Sequence, residues 1–466
     1  MTAGTAFLDG FKDAFTVSPS GGITITDPAA LRGGATDRLA RAAAFGSAAE
    51  KEAAGWALRE LCRLSGIHSA SIQPLYEAMG RGEARGFTTP AMNLRGLVYE
   101  TARAAMRAQK KLDAGPVVFE LARSEMGYTF QDPAEYSAMI HAAALREGMK
   151  GPIFIQGDHF QVNAKKYHAG GESREAEMKA LRDLVAAAID AGFHNIDIDA
   201  STLVVLERDG VKEQQRDNFE RQAELTALIR SRQPRGVEIS VGGEIGEVGK
   251  KNSTPEEFRA FMGGLGEAFS RAAGGAKSIS KISIQTGTSH GGVVLPDGTV
   301  AKVSIDFSCL MDISAIARKE YGMAGAVQHG ASTLPADAFS EFPVHDAAEV
   351  HLATEFQNIM LDHPEFPGDL RREMYAWLSA NCAADRKEGW TDEQFYYKTR
   401  KKGWGPFKAQ VWDLPQGVRD ALGEALQEKF EFLFGKLRVA GGRETVERFV
   451  RPVEIRRELP GAVRKA

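Results

Sequence analysis

The stretch Ile153-Phe154-Ile155-Gln156-Gly157-Asp158-His159 decides how this chain is read. A short strand-like run stops at a glycine, and the next two side chains are of the types that carry acid–base and metal chemistry. The same grammar recurs in both directions. Comparable runs lie at 117–121, 196–198, 237–241, 282–285, 324–328 and 349–352, and a weaker one at 86–92 brings the number to eight. Helix-like periodicity separates them at 97–111, 133–147, 175–191, 214–230 and 255–272. Two of these helices open on clear start signals, Gln131-Asp132-Pro133 and Ser253-Thr254-Pro255-Glu256-Glu257, with proline in the first turn and acids at the positive end of the helix dipole. Eight strand–helix repeats predict an α/β chain folded as a (β/α)8 TIM barrel, with a doubly wound open sheet as the alternative.

A single barrel does not use up 466 residues. The pattern places the barrel and its chemistry at 86–362, a helical N-terminal extension at 1–85 and a helical C-terminal extension at 363–466 packed on the barrel. Helical character in the first runs over 38–64; the second has amphipathic helices at 369–380 and 418–437 around an aromatic, basic segment at 390–412. With 43% apolar and 26% charged residues the chain is neither a fibre nor a disordered tail, and a net charge of −4 gives no footprint for nucleic acid. Three cysteines far apart, without a CxxC pair, point to a reducing compartment. With neither a leader-like apolar stretch nor a run of about 18 apolar residues, the expectation is a cytoplasmic protein without a membrane partner.

Active sites of such barrels form at the C-terminal strand ends, so the polar residues that follow each run are the candidates. They are Gly157-Asp158-His159, Asp197-Ile198-Asp199-Ala200-Ser201, Gly243-Glu244-Ile245-Gly246, Gly287-Thr288-Ser289-His290-Gly291-Gly292, His329-Gly330-Ala331-Ser332-Thr333, and His351 with Thr354 behind it. His159, His290 and His329 fall where three strand ends converge, and a catalytic zinc takes about three protein ligands while leaving one position open. Any one of them alone could be an ordinary hydrogen-bonded histidine, the reading that fits His68, His141, His168, His194, His345 and His363. Asp158 is either a general acid–base group or the carboxylate that orients an imidazole, and Glu244 is a metal ligand, an orienting group or a structural acid. Gly330, Ser332 and the backbone at Thr333 offer phosphate donors where barrels often place them.

In order, these motifs resemble those of the class II, metal-dependent fructose-bisphosphate and tagatose-bisphosphate aldolase family, from Gly86 to about Asp362 and more faintly to Leu437. Thr89-Pro90-Ala91-Met92-Asn93 resembles the family's Pro-Ala-Phe-Asn, Gly157-Asp158-His159 its Leu-Asp-His, Ile198-Asp199-Ala200-Ser201 its Ile-Asp-Gly-Ser, and Glu244-Ile245-Gly246 its Glu-Leu-Gly. Thr286 to Gly291 is similar to Ile-Gly-Thr-Ser-His-Gly, and His329-Gly330-Ala331-Ser332 to His-Gly-Gly-Ser. The resemblance implies a divergent, long member of the family. It implies zinc, or cobalt or another divalent cation, held by His159, His290, His329 and Glu244, with a monovalent cation beside it. Asp158 is implied as the catalytic acid, and Asn93, Asp199, Ser201, Gly291, Gly330, Ser332, His351 and Thr354 as substrate or phosphate contacts. The implied reaction is reversible aldol cleavage of a ketose, such as fructose 1,6-bisphosphate, through a metal-stabilised enediolate to dihydroxyacetone phosphate and an aldehyde. The implied partner is a small sugar phosphate and the implied assembly a homodimer or homotetramer.

The chain also departs from the family. Lys250-Lys251-Asn252-Ser253-Thr254-Pro255 replaces the usual mobile loop with its Glu-Asp pair, leaving Glu247 or Asp158 as candidates to move the substrate proton. His351-Leu352-Ala353-Thr354-Glu355 replaces Asn-x-Asp-Thr-Asp, retaining only the threonine. Lys165 and Lys166, after the Gly-Asp-His segment, are either phosphate contacts or solvated lysines. Two other readings stay open: a non-catalytic chaperone subunit like that of tagatose-bisphosphate aldolase, and another metal-dependent carbon–carbon lyase or sugar isomerase.

Overall fold

The computed structural model describes residues 2–246, 251–287, 294–297, 301 and 305–464. Eight parallel strands form a closed barrel: β1 (Thr89–Asn93), β2 (Val118–Ala122), β3 (Gly151–Gln161), β4 (Asn195–Asp199), β5 (Ser240–Glu244), β6 (Lys281–Ile284), β7 (Ala326–Gln328) and β8 (Glu349–Leu352). Each pairs with the next, and closure comes from the register of β8 on β1, with Glu349 opposite Thr89 and His351 opposite Ala91. Every run read as a strand lies on one of the eight, so the barrel holds and the open sheet does not.

The fifth run is displaced, its strand beginning at Ser240 rather than 237. Gly242 and Gly243 weaken any strand propensity there, yet a side chain at Gly242 would put its Cβ 2.4 Å from Asp197 Oδ1, so the barrel interior needs a residue without one. The helices that close the repeats include Val98–Lys111, Pro133–Arg146, Gly171–Ala191, Arg216–Arg232 and Pro255–Ala273. Asp132 caps one by accepting from Glu135 N at 2.8 Å, and Thr254 makes a capping box with Glu257 in another, as the start signals predict.

Before the barrel the predicted long helix is two, Thr36–Phe45 and Ala48–Leu64, because Gly46 releases the first and Ser47 starts the second through a capping box with Glu50. A short hairpin, Phe15–Val17 with Ile23–Ile25, precedes them, and Ile67–Ser69 adds a parallel strand to the outside of β3. After the barrel come Gly368–Asn381, Asp392–Thr399, Lys408–Trp412 and Gln416–Lys436. One apolar cluster runs from Leu8 through the barrel layer to Phe434. No helix among the described residues is long and apolar enough to cross a membrane.

Candidate active site

β3 begins the site. Its pairing with β4 slips between Gly157 and Phe160, a bulge that places His159 at φ 40°. Gly157 makes the bulge possible, because a Cβ there would lie 2.4 Å from the Phe160 ring. Asp158 and His159 consequently both line one cavity of about 780 Å³ at the barrel mouth, together with Asn93, Ser201, Glu244, Gly330, Ser332, His351 and Thr354.

Within it, His159 Nε2 and His329 Nδ1 approach to 2.8 Å. The other nitrogen of each ring is held from outside: His329 Nε2 lies 2.8 Å from Ser283 Oγ, and His159 Nδ1 lies 2.9 Å from Glu244 Oε2 and 3.1 Å from Asp199 Oδ2. Asp199 is itself fixed by Ser201, whose N and Oγ donate to Oδ1 at 3.0 and 2.7 Å. Asp158 Oδ1 stands 3.8 Å from His159 Nε2, and its Oδ2 accepts from Asn93 Nδ2 at 3.0 Å. Ser332 Oγ accepts from the backbone N of Ala353 and Thr354 at 2.6 and 3.2 Å, tying the β7 loop to the β8 loop. Of the two lysines after β3, Lys166 lines the cavity, with Nζ 3.9 Å from Glu177; Lys165 is exposed. Glu247, His290 and Gly291 lie outside the described residues.

His351 sits deeper. Its Nδ1 is 3.1 Å from both Asp158 Oδ1 and Glu120 Oε1, its Nε2 is 2.6 Å from Glu349 Oε1, and its ring centroid is 4.1 Å from that of His329. Beneath it lies a polar barrel interior. Lys281 Nζ is 2.8 Å from Asp197 Oδ2 and 2.9 Å from Gln156 Oε1 and also meets Glu349, which takes the Tyr76 hydroxyl as well. Burial alone would raise Asp158, but His159, His351 and His329 around it hold its carboxyl well below the usual range. Burial would likewise depress His351, and Glu120 and Asp158 raise it well above an ordinary imidazole instead. Glu120, the partner with the fewest hydrogen bonds, is pushed up by its burial.

Glu120, Lys281 and Glu349 neighbour the site without standing at strand ends, since they lie inside β2, β6 and β8. The signal was present in the two-residue alternation: Asp197 with Asp199, and Glu349 with His351, share a face of their strands.

The donor set suits a divalent metal by its chemistry. Two imidazole nitrogens converge beside a carboxylate, and each ring's outer nitrogen is held by a hydroxyl or carboxylate, the arrangement that orients histidine ligands. The residues fit such an ion. Glu244 Oε2 stands at the outer nitrogen of His159, and with Asp199 the two form a second group close enough to share an ion.

Fold and site together define a (β/α)8 barrel with a histidine–carboxylate centre at its mouth. The fructose-bisphosphate aldolase class II profile matches residues 73–431, and the chain belongs to that family. No curated protein matches in a sequence comparison. Among solved structures, a probable tagatose 6 phosphate kinase from Sinorhizobium meliloti 1021 is 18% identical at a TM-score of 0.58, over 75% of this chain and 100% of that one, which shows the shared fold. A fructose-bisphosphate aldolase from Campylobacter jejuni is 17% identical at a TM-score of 0.48, over 81% and 98% of the two chains. The fructuronate-tagaturonate epimerase UxaE from Cohnella laeviribosi is 13% identical at a TM-score of 0.49, over 95% and 90%.

Proposed function

We propose that this chain is a zinc-type class II aldolase that cleaves a phosphorylated ketose reversibly to dihydroxyacetone phosphate and an aldehyde. The observation that carries the reading is the convergence of His159 Nε2, His329 Nδ1 and the Asp158 carboxylate in one cavity of the barrel mouth. His159 and His329, with His290 from the β6 loop, would hold the ion. A divalent ion bound there supplies Lewis-acid stabilisation of the charge left on the ketose fragment when the carbon–carbon bond breaks.

The chain's own residues supply the rest. Asp158 takes the proton of the hydroxyl on the carbon that becomes the aldehyde and returns it in condensation. Asn93 donates to Oδ2 and aims the carboxylate, while Gly330, Ser332 and Thr354 receive the phosphate. Glu247 remains the candidate for moving the second proton, at the ketose fragment. A cytoplasmic homodimer or homotetramer completes the reading, consistent with three free, buried cysteines.

The test is metal analysis of the purified protein with cleavage assays across phosphorylated and unphosphorylated ketoses, before and after chelation. About one zinc or cobalt per chain and cleavage lost on chelation and restored by metal support the proposal; His159→Ala, His290→Ala and His329→Ala abolish that activity. Full turnover after chelation refutes it, and metal-free protein without turnover favours the chaperone-subunit reading. A second enzyme reading has its own observation: His351, packed against Asp158 and His329, sits where the family has asparagine. Isomerisation or epimerisation without cleavage would establish that alternative.

A further inference from the structure

The C-terminal extension reaches into the site. Trp404 packs against Gly96, where an added Cβ would stand 2.5 Å from the indole, and Gly405 N donates to Tyr128 O at 3.0 Å. Lys408 Nζ donates to Phe130 O at 2.8 Å, and Arg400 is locked by Asp362 Oδ1 at 2.7 Å. The turn Arg400–Gly403 is thereby seated on the loops after β1 and β2, and its Lys401 lines the same cavity as Asp158 and His159.

Lys401 has no carboxylate within salt-bridge distance among the described residues; its ammonium stands 5.6 Å from the Tyr128 ring centroid. Arg95, also in the cavity wall, directs Nη1 to Thr354 Oγ1 at 3.4 Å, next to the Ser332–Thr354 corner, and spends Nε on Glu125 Oε1 at 2.6 Å. The Tyr128 hydroxyl beside them is buried next to Glu125 and Arg95. Arg95 and Lys401, with Lys398 and Lys402 nearby, face the carboxylates of Glu125 and Asp158, and among the described residues the Lys401 ammonium is left without an ion-pair partner, which an oxyanion in the cavity would supply.

We propose that Arg95, Lys401 and Tyr128 form a subsite for an oxyanion of the substrate, a phosphate or a carboxylate, and that the extension past the barrel exists in part to deliver Lys401. The inference rests on the cavity being the substrate site. Burial, with Arg95 and the neighbouring Lys402 and Lys398, pulls the Lys401 ammonium down to about 8 against the opposing pull of Glu125. Below that pH the subsite carries its full charge; above it Lys401 turns neutral and the oxyanion loses a partner.

The experiment is calorimetric titration of the purified, metal-bearing protein with glycerol 3-phosphate and with glycerate, which share a backbone and differ in the anion. Wild-type protein binds at least one of them at pH 7, and the tighter one identifies the anion. Lys401→Met weakens that binding about 10–100-fold, the range for a charged hydrogen bond, with unchanged metal content and melting temperature. Lys401→Arg restores it and keeps it when the pH is raised from 7 to 9, whereas wild type loses affinity over that interval. Equal binding by Lys401→Met and wild type, or no binding of either probe by wild type, overturns the subsite. The readout needs no turnover, so its failure leaves the cleavage test standing, and failure of cleavage leaves this one standing.

Discussion

Replacing Lys281 with methionine tests whether the barrel interior is held by charge. The Lys281 side chain is 1% exposed and meets both Asp197 and Glu349, whose other basic neighbour is His351. At 2.8 Å and an effective dielectric of about 20, each carboxylate attracts the ammonium by roughly 6 kcal/mol, against a desolvation cost of several kcal/mol for the ion. Methionine fills the space and removes that cost, but it leaves Asp197 and Glu349 facing each other with only the His351 imidazole beside them. Breaking a buried pair in this way costs about 3–5 kcal/mol. An unfolding entropy of about 2.1 cal/mol/K per residue over 466 residues gives roughly 1 kcal/mol/K, so the melting midpoint should fall by about 3–5 °C. Scanning fluorimetry at constant metal reads it. Lys281→Met with Glu349→Gln should recover part of the loss, because one orphaned charge goes too. A single variant that melts within about 1 °C of wild type would show that the interior does not depend on this cation.

Three further outcomes follow from the site and its surroundings. Asp158→Asn keeps the shape and the contact with Asn93 but cannot take a proton, so kcat for cleavage should fall about 10²–10⁴-fold with little change in KM. Gly157→Ala places a methyl 2.4 Å from the Phe160 ring, which should cost about 1–3 kcal/mol in a melting experiment and reduce metal content as the bulge shifts His159. Burial depresses His141 to about 3 and His194 to about 4, so both are neutral when folded and protonated below about 6.5 when unfolded. Their contribution is complete above pH 6.5 and is lost as the pH falls toward 4; at pH 5 each should have cost about 2 kcal/mol, and His194→Gln should flatten the acid limb of a stability–pH curve.

The barrel was legible because strand runs and helix signals are local. Pro255 and the Thr254 capping box mark a helix start in any setting, and a β-branched run ending in glycine marks a strand end. The meeting of His159, His329 and Asp158 was legible for the same reason, since barrel topology brings strand ends together once the strands are known. Lys281, Glu120 and Glu349 were not, because charged residues in a short strand read as solvent-facing until closure turns them inward. The division of 38–64 into two helices was also available, in the Ser47-x-x-Glu50 capping box.

The sequence by itself determined the eight-stranded repeat, the family and the histidine and carboxylate residues that follow the strands, since all of these reside in short segments. Only the tertiary structure decided which nitrogen of each imidazole faces inward, that Glu244 stands behind His159, that His351 joins Asp158 to a buried charge network, and that Lys401 enters the cavity from some 240 residues beyond His159. Such facts are set by ring closure and by the packing of Trp404 on Gly96. They depend on distances between residues remote in the chain, and no local pattern encodes them.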